Sequence, residues 1–523
     1  MTPRSWFRCN QAGLCFIVAL LGLMAVGRSR MMRDPGTLWH TVVGERMIQD
    51  GGIVRSDPFS FTHAGEQWIA QQWLGECAMA LMHRMAGLDG LLLGACIILA
   101  AILAIIASRA ARLELPWPVT LLTLLIISAA SSYHFMPRPH LATLLFMTLG
   151  TVLLCDVESG RVRSRALWWI PPGMLLWTNL HGGALGGLAS LVLVALGWLL
   201  RPAWLRRPDI DRKSKLSPWL IAGIVSLAAG TILMNPFGAG LPTVWLSLMG
   251  SDVLPKVIIE HAATEWLSVE GFMLFLVGAA YFAMLASVWK RGVRVVWLLP
   301  MVWFVLAMSR VRHGPIFALS TAVILLDMLE FSPIRLKLVQ WAAGRPTAKP
   351  GQGPMSGGGG GWGTRWSALT LPACIAVVAF ILKAIGAPVP VIGSNWCRLD
   401  ASYWPVEATA ALNEHLERHP EDSRVFNDML FGGYLIYQAP NARLYIDDRC
   451  ELYRDPGIRR YVELLKYPDR FAGEAAYRDI RTALVDSRSP IARHLKRDPD
   501  WSVLHADGTA TLFVRNPTLA VAR

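Results

Sequence analysis

LDGLLLGACIILAAILAIIAS, residues 88–108, decides the fold class. Its ionisable content is a single Asp89, and it is as long as the roughly 20 apolar residues that a helix needs to cross a bilayer. Arg109 and Arg112 follow at once. An apolar run closed by arginine is a membrane span with its basic flank, and the pattern recurs on both sides of it. Further spans are read at 11–26, 119–135, 141–155, 167–179, 184–200, 218–234, 272–289, 295–309, 316–329 and 369–385. Several are short for a full crossing, which tilt or packing in the bundle must accommodate. The expected architecture is an all-α polytopic transmembrane bundle of about 11 helices, followed by a small C-terminal α/β soluble domain.

Composition agrees. The chain of 523 residues is 54% hydrophobic and 17% charged, with a mean hydropathy of +0.40. Its net charge of +13 would suit nucleic acid, but the cations sit in short loops between apolar runs. That is a topology signal, so no nucleic-acid partner is expected. The eight cysteines form no C-x-x-C pair and no zinc spacing. Cys397 and Cys450 share the soluble tail and could pair if that tail is extracytoplasmic. The start resembles a signal peptide, but Arg28, Ser29 and Arg30 replace a small-residue cleavage site. An uncleaved first span is expected.

Basic loops at 109–112, 161–165, 206–215, 290–294 and 335–349 alternate with loops rich in Asp, His, Asn and Arg. The positive-inside rule puts the basic loops and the N-terminus on the cytoplasmic side of an inner membrane, and the other loops outside. The expected divisions are a transmembrane domain over 1–332 with an outer loop at 28–87, a cytoplasmic Pro/Gly-rich linker over 333–366, a last helix at 367–387, and an extracytoplasmic α/β domain over 394–523. Gly357 to Gly361 form a flexible linker and not a phosphate loop, because no strand or Lys-Ser/Thr accompanies them. In the tail, 406–416 and 491–496 read as helices, 424–426, 444–446 and 482–485 as short strands, and 501–515 as a closing hairpin. Trp68 and Trp73, in the polar stretch 58–84, have the spacing of an interfacial helix.

The motif loops carry the candidate chemistry. Asp34, in Asp34-Pro-Gly-Thr-Leu-Trp39-His40, could act as a general base on a hydroxyl or hold a metal, or it could simply start a turn. Asp57, in Asp57-Pro-Phe-Ser-Phe-Thr62, has the same ambiguity. Arg138 stands between two prolines, with His134 and His140 nearby, where a helix must break. Its guanidinium suits bidentate phosphate recognition, and snorkelling at the interface is the alternative. His181, in Asn179-Leu-His181-Gly-Gly183, could touch a phosphate or sugar, or be a core histidine. Asn235-Pro-Phe-Gly238 reads as a helix terminator. Arg310, Arg312 and His313 make the most cationic cluster, which without an anionic partner would be costly at a span end.

Together these segments resemble bacterial multi-span proteins related to the GT-C glycosyltransferase superfamily. Phe426-Asn-Asp428, Gly432-Gly-Tyr-Leu435 and Ile446-Asp-Asp-Arg449 extend the resemblance into the tail, so that it covers most of the chain. The resemblance implies a GT-C-like bundle that transfers a sugar from a polyprenyl-phosphate donor to an envelope glycan, lipid or protein acceptor at the outer face. It implies Asp34 as the catalytic acidic residue of the first outer loop. It leaves His40, Asp57, Arg138, His140, His181, Arg310, Arg312 and His313 as substrate-binding candidates. Many members show adjacent acidic residues where Asp34 is followed by Pro35. No cofactor is required by any ligand spacing; a divalent cation fits only if Asp34 and Asp57 converge. A transporter or flippase of lipid-linked saccharide, and a noncatalytic glycolipid-binding assembly protein, are the competing readings. Transporters place ionisable groups and broken helices near mid-membrane, whereas here the polar residues gather at one end. Asp447, Asp448 and Arg449 belong either to an acceptor surface or to a structural salt-bridge network, and the second is the expectation.

Overall fold

The computed structural model describes residues 10–200, 216–342 and 362–516. The basic loop 206–215 and most of the Pro/Gly-rich linker lie outside the described residues. Asn10 caps α1 (Gln11–Arg30), its side chain accepting from the Gly13 amide. Asp34 in turn caps α2 (Pro35–Asp50), a full helix where the Asp-Pro-Gly pattern by itself suggests a turn. α3 (Trp73–Arg112) is two helices joined at a kink, where Gly87 adopts a φ of 58°. Only its second half is the apolar span that the sequence announced.

α4 (Trp117–Ser131), α5 (His140–Glu158), α6 (Ile170–Leu180), α7 (Ala184–Leu200) and α8 (Pro218–Thr231) follow. Next come α9 (Gly240–Met249), the single-turn α10 (Leu254–Val257), α11 (Val269–Trp289), α12 (Leu299–Ser309), α13 (Gly314–Leu329), α14 (Pro333–Ala342) and α15 (Trp362–Ala384). Every segment read as a span from sequence is helical. Five of the described helices are long and apolar enough to cross a membrane, and five shorter apolar helices accompany them. The chain is a multi-span helical membrane protein. Trp219 and Leu200 on its flank are 86% and 77% exposed, a surface that is apolar where a soluble protein would be polar.

The tail folds as α16 (Val406–Arg418), β1 (Arg424–Asn427), α17 (Gly432–Gln438), β2 (Arg443–Leu444), α18 (Cys450–Lys466), α19 (Phe471–Arg478), β3 (Thr482–Asp486), α20 (Pro490–Leu495), β4 (Trp501–Ala506) and β5 (Ala510–Arg515). Its sheet runs β2-β1-β3-β5-β4. β1 is parallel to β2 and β3, while β5 is antiparallel to β3 and β4. The sequence reading had located all five strands, although β2 is only two residues long. Cys397 and Cys450 are separate thiols.

The tail domain does not hang free of the bundle. Leu38, Trp39, Val43 and Met47 of α2 share one apolar core with Phe426, Leu435, Ile446 and Phe513. The 57–68 loop joins the sheet edge: the Phe61 amide donates to Leu444 O and the Leu444 amide donates to Phe59 O, at 3.1 and 3.0 Å. Trp68 is therefore no interfacial anchor. It is buried, and its indole donates to Glu451 Oε1 at 3.0 Å. The physical reason is that an indole beside an edge strand hides more apolar area against the domain than against headgroups.

At the opposite end of the bundle the arginines are not plain solvated charges. Arg109 donates to Asp156 at 3.0 Å, Arg161 to Asp156 at 2.7 Å and Arg294 to Asp327 at 2.6 Å. Trp297 Nε1 also donates to Asp327, at 2.7 Å. These pairs clamp α3, α5, α13 and the turn before α12.

Candidate active site

Asp34 sits where α1 ends and α2 begins. Its Oδ2 accepts from the Thr37 amide at 2.7 Å and from Thr37 Oγ1 at 3.0 Å, a helix N-cap with Pro35 at the first helical position. Capping uses one oxygen and leaves Oδ1 directed away from the helix. Arg138 Nη1 donates to that Oδ1 at 3.2 Å and to Glu260 Oε1 at 3.2 Å. The guanidinium lies over Gly36, where a Cβ would fall 2.7 Å from Arg138 Cζ. Only glycine permits that approach.

The electrostatics follow from burial. Asp34 is 7% exposed. Desolvation pushes its carboxyl up and Glu260 adds to the push, while Arg138 and the Thr37 hydrogen bonds offset part of it. Burial opposes the charge on Arg138 too, but Asp34 and Glu260 outweigh it and keep the cation. For Glu260, burial is the largest single influence and raises its pKa. The surrounding positive groups, Arg138 first and Arg312 among them, nevertheless bring it down to about 2. The result is a permanent cation between two acids, one of them firmly ionised.

Around this group lie the histidines. His181 Nδ1 accepts from the Gly183 amide at 3.0 Å, and Thr143 Oγ1 stands 2.8 Å from the same nitrogen. Thr143 Oγ1 also accepts from Trp177 Nε1 at 2.8 Å, so its own proton goes to His181. With Nδ1 accepting, the neutral imidazole carries its proton on Nε2. Burial holds His181 well below the usual histidine range, in agreement. His140 Nε2 donates to His134 O at 2.8 Å, and the His140 and His181 rings are 6.3 Å apart. His40 is fully buried; its Nδ1 pairs with Glu76 Oε1 at 2.8 Å and its Nε2 has no partner among the described residues. Burial, reinforced by Arg138, His181 and His140, keeps it neutral.

The other candidates divide. Arg312 Nη1 donates to His261 Nε2 at 2.8 Å and its charge reaches Glu260. Arg310 instead donates to Met249 O at 2.7 Å, and His313 Nδ1 donates to Leu306 O at 3.1 Å; both tie off chain ends. Asp57 accepts from the Phe59 and Ser60 amides at 3.1 and 3.0 Å and pairs with Arg449 Nη1 at 2.8 Å. It is a structural anchor of the 57–68 loop. The structure thus gathers Asp34, Arg138, Arg312, His40, His140 and His181 into one group, while Asp57, Arg310 and His313 make their hydrogen bonds with other partners.

Sequence reasoning missed Glu260 and His261. Their signal was an acid beside a histidine in the long polar stretch between α9 and α11. It also missed Thr37, whose place three residues after Asp34 is a helix-cap spacing. Two clusters that could hold a metal, Glu407 with His505 and Asp507, and His419 with Glu421 and Asp422, lie on the tail domain; among the described residues no such cluster includes Asp34.

No protein-family model matches the chain, and no curated protein matches it. Among solved structures it is similar to a crystal structure of ArnT from Cupriavidus metallidurans bound to undecaprenyl phosphate. The match covers 97% of this chain and 98% of that one, at 13% identity and a TM-score of 0.38.

Proposed function

We propose that the protein is a GT-C-type glycosyltransferase that moves a sugar from a polyprenyl-phosphate donor to an envelope glycan, lipid or protein acceptor, at the outer face of the bacterial inner membrane. The observation that carries this reading is the contact of Asp34 Oδ1 with Arg138, 3.2 Å apart, at one end of an apolar bundle. A desolvated carboxylate of raised pKa is a competent general base, and a guanidinium is suited to a departing phosphate. The acceptor hydroxyl oxygen attacks the anomeric carbon as the bond from that carbon to the phosphate oxygen breaks, with inversion. Asp34 takes the hydroxyl proton. The polyprenyl phosphate leaves as an anion held by Arg138 and Arg312, with the Nε2 proton of neutral His181 as a further donor. The lipid tail enters from the bilayer between the helices.

Orientation belongs to the same proposal. The Asp34 end faces outward, because the basic loops gather at the other end. The flippase reading fits less well, since Asp34, Arg138 and Glu260 meet at one end of the bundle and Asp156 and Asp327 meet their arginines at the other.

The test is mass profiling of envelope glycans and glycolipids from a deletion strain complemented with wild type or with Asp34→Asn. Asn caps a helix as well as Asp does, so the variant is expected to fold. A hexose- or pentose-sized mass lost on deletion and restored by wild type alone is the expected result. Restoration by both proteins would remove Asp34 from the chemistry and shift the reading to transport or to a noncatalytic assembly role.

A further inference from the structure

The tail domain packs against α2, the helix that Asp34 caps. Three consecutive residues, Asp447, Asp448 and Arg449, were expected to form one structural network. Two of them do. Arg449 Nε donates to Asp447 Oδ1 at 2.8 Å and Nη2 to Asp447 Oδ2 at 2.6 Å, and Tyr453 OH donates to Asp447 Oδ2 at 3.0 Å. Arg449 also holds Asp57, and all three ionised side chains are fully buried.

Asp448, between them, takes no part. Its backbone carbonyl accepts from the Cys450 amide at 2.9 Å, but its carboxyl Oδ1 is buried with no partner among the described residues. A buried acceptor left unpaired is costly and calls for an explanation.

Its position supplies one. The Gly432-Gly433 step at the start of α17 is pressed between two segments. A Cβ on Gly432 would fall 2.5 Å from Asp447 Cβ, and one on Gly433 would fall 2.2 Å from Pro35 O. Asp447 is the neighbour of Asp448, and Pro35 is the neighbour of Asp34. The two carboxyl groups are therefore brought to the same seam between bundle and tail domain. Arg138 and Asp34 both act on the charge of Asp448, and burial raises its pKa well above the carboxylate range. Other buried polar atoms left unpartnered gather at this end of the bundle: His40 Nε2, His134 Nδ1 and His261 Nδ1. Unpaired acceptors and donors around an arginine are groups that the hydroxyls of a sugar could satisfy.

We propose that Asp448 is a sugar-binding residue of the Asp34 site, contributed by the tail domain, whose carboxyl group hydrogen-bonds hydroxyls of the transferred sugar. The proposal rests on the transfer reading above. Arg138 and Arg312 take the phosphate end of the donor, and Asp448 takes the carbohydrate end. The ion group of Asp57, Asp447 and Arg449 fixes the backbone on either side of it.

The experiment uses the full chain and two readouts. Asp448→Ala and Asp448→Asn are expressed in the deletion strain for envelope mass profiling. The same purified proteins are titrated with undecaprenyl phosphate by native mass spectrometry, with melting temperature as a fold control. The expected result is that both variants bind undecaprenyl phosphate within about twofold of wild type and restore no more than about a tenth of the sugar-sized mass, because a site built to hydrogen-bond a hydroxyl discriminates strongly when the bond is lost. Restoration within twofold of wild type by Asp448→Ala would overturn the role of Asp448 while leaving the transfer reading intact. Loss of lipid binding together with a lowered melting temperature in Asp448→Asn would make it a structural residue and overturn the proposal. An identical envelope profile with and without the wild-type protein would overturn the transfer reading, and this role with it.

Discussion

Arg449→Met is the sharpest perturbation of the docking between bundle and tail domain. The guanidinium is fully buried and holds two carboxylates, Asp57 at 2.8 Å and Asp447 at 2.6 Å. Methionine fills much of the volume but leaves both acids without their cation. Removing one partner of a buried pair costs about 3–5 kcal/mol, since the remaining charge stays desolvated. At about 1.4 kcal/mol per factor of ten, the docked loop should open roughly a hundredfold to a few thousandfold more often. Hydrogen exchange read by mass spectrometry on peptides covering 57–68 measures this directly. The amides of Asp57, Phe61 and Trp68 are bonded in the docked state, to Glu66 O, Leu444 O and Arg55 O at 3.0, 3.1 and 2.9 Å. Their protection should fall by that factor, up to the limit set by wild-type protection. Adding Asp57→Asn removes one stranded charge and should return part of the loss. Arg449→Lys should be intermediate, because an ammonium cannot reproduce the two-sided fork. Exchange within threefold of wild type in Arg449→Met would refute the view that this ion group docks the loop.

Gly433→Ala places a methyl group 2.2 Å from a backbone carbonyl that cannot swing aside; a destabilisation of about 1–3 kcal/mol is expected, read as a lower melting temperature of the purified chain. Glu260 has its folded pKa depressed from 4.5 to about 2. Its stabilising contribution is therefore complete above the ordinary value and is lost as pH falls through that window. Glu260→Gln should flatten the acid limb of a melting-temperature profile below about pH 4.5, and an unchanged limb would contradict the Arg138 pairing. Arg138 occupies the position between Asp34 and Glu260 that a divalent ion would need. Chelation of membrane vesicles with EDTA should accordingly leave transfer within about twofold, and a tenfold loss restored by one divalent ion would show a metal at this site.

Much was legible from local pattern. Residues 88–108 could only be a helix in lipid, because an isolated run of that length satisfies its backbone internally. The tail strands around Val425 and Leu484 were readable from short β-branched and apolar runs between polar turns. Even α2 carried its signs, with Asp34 at the N-cap, Pro35 at the first position and Gly51 just past the end. The clustering of polar motifs at one end also followed from the alternation of loops along the chain.

What the tertiary structure decided was which charges meet. Asp34 and Asp57 have similar Asp-Pro contexts, yet one faces Arg138 and the other Arg449. Arg138 and Glu260 are 122 residues apart, and nothing in the local pattern of either announces the other. Asp448 differs from Asp447 by one position and has the opposite environment. The sequence by itself determined the spans, the strands and the polar end, because hydrophobic periodicity acts within a few residues. Packing within the bundle selected the partners of Arg138, and docking of the tail domain selected the partner of Asp57, because Coulomb and hydrogen-bond contacts depend on a few ångströms of separation between segments far apart in the chain.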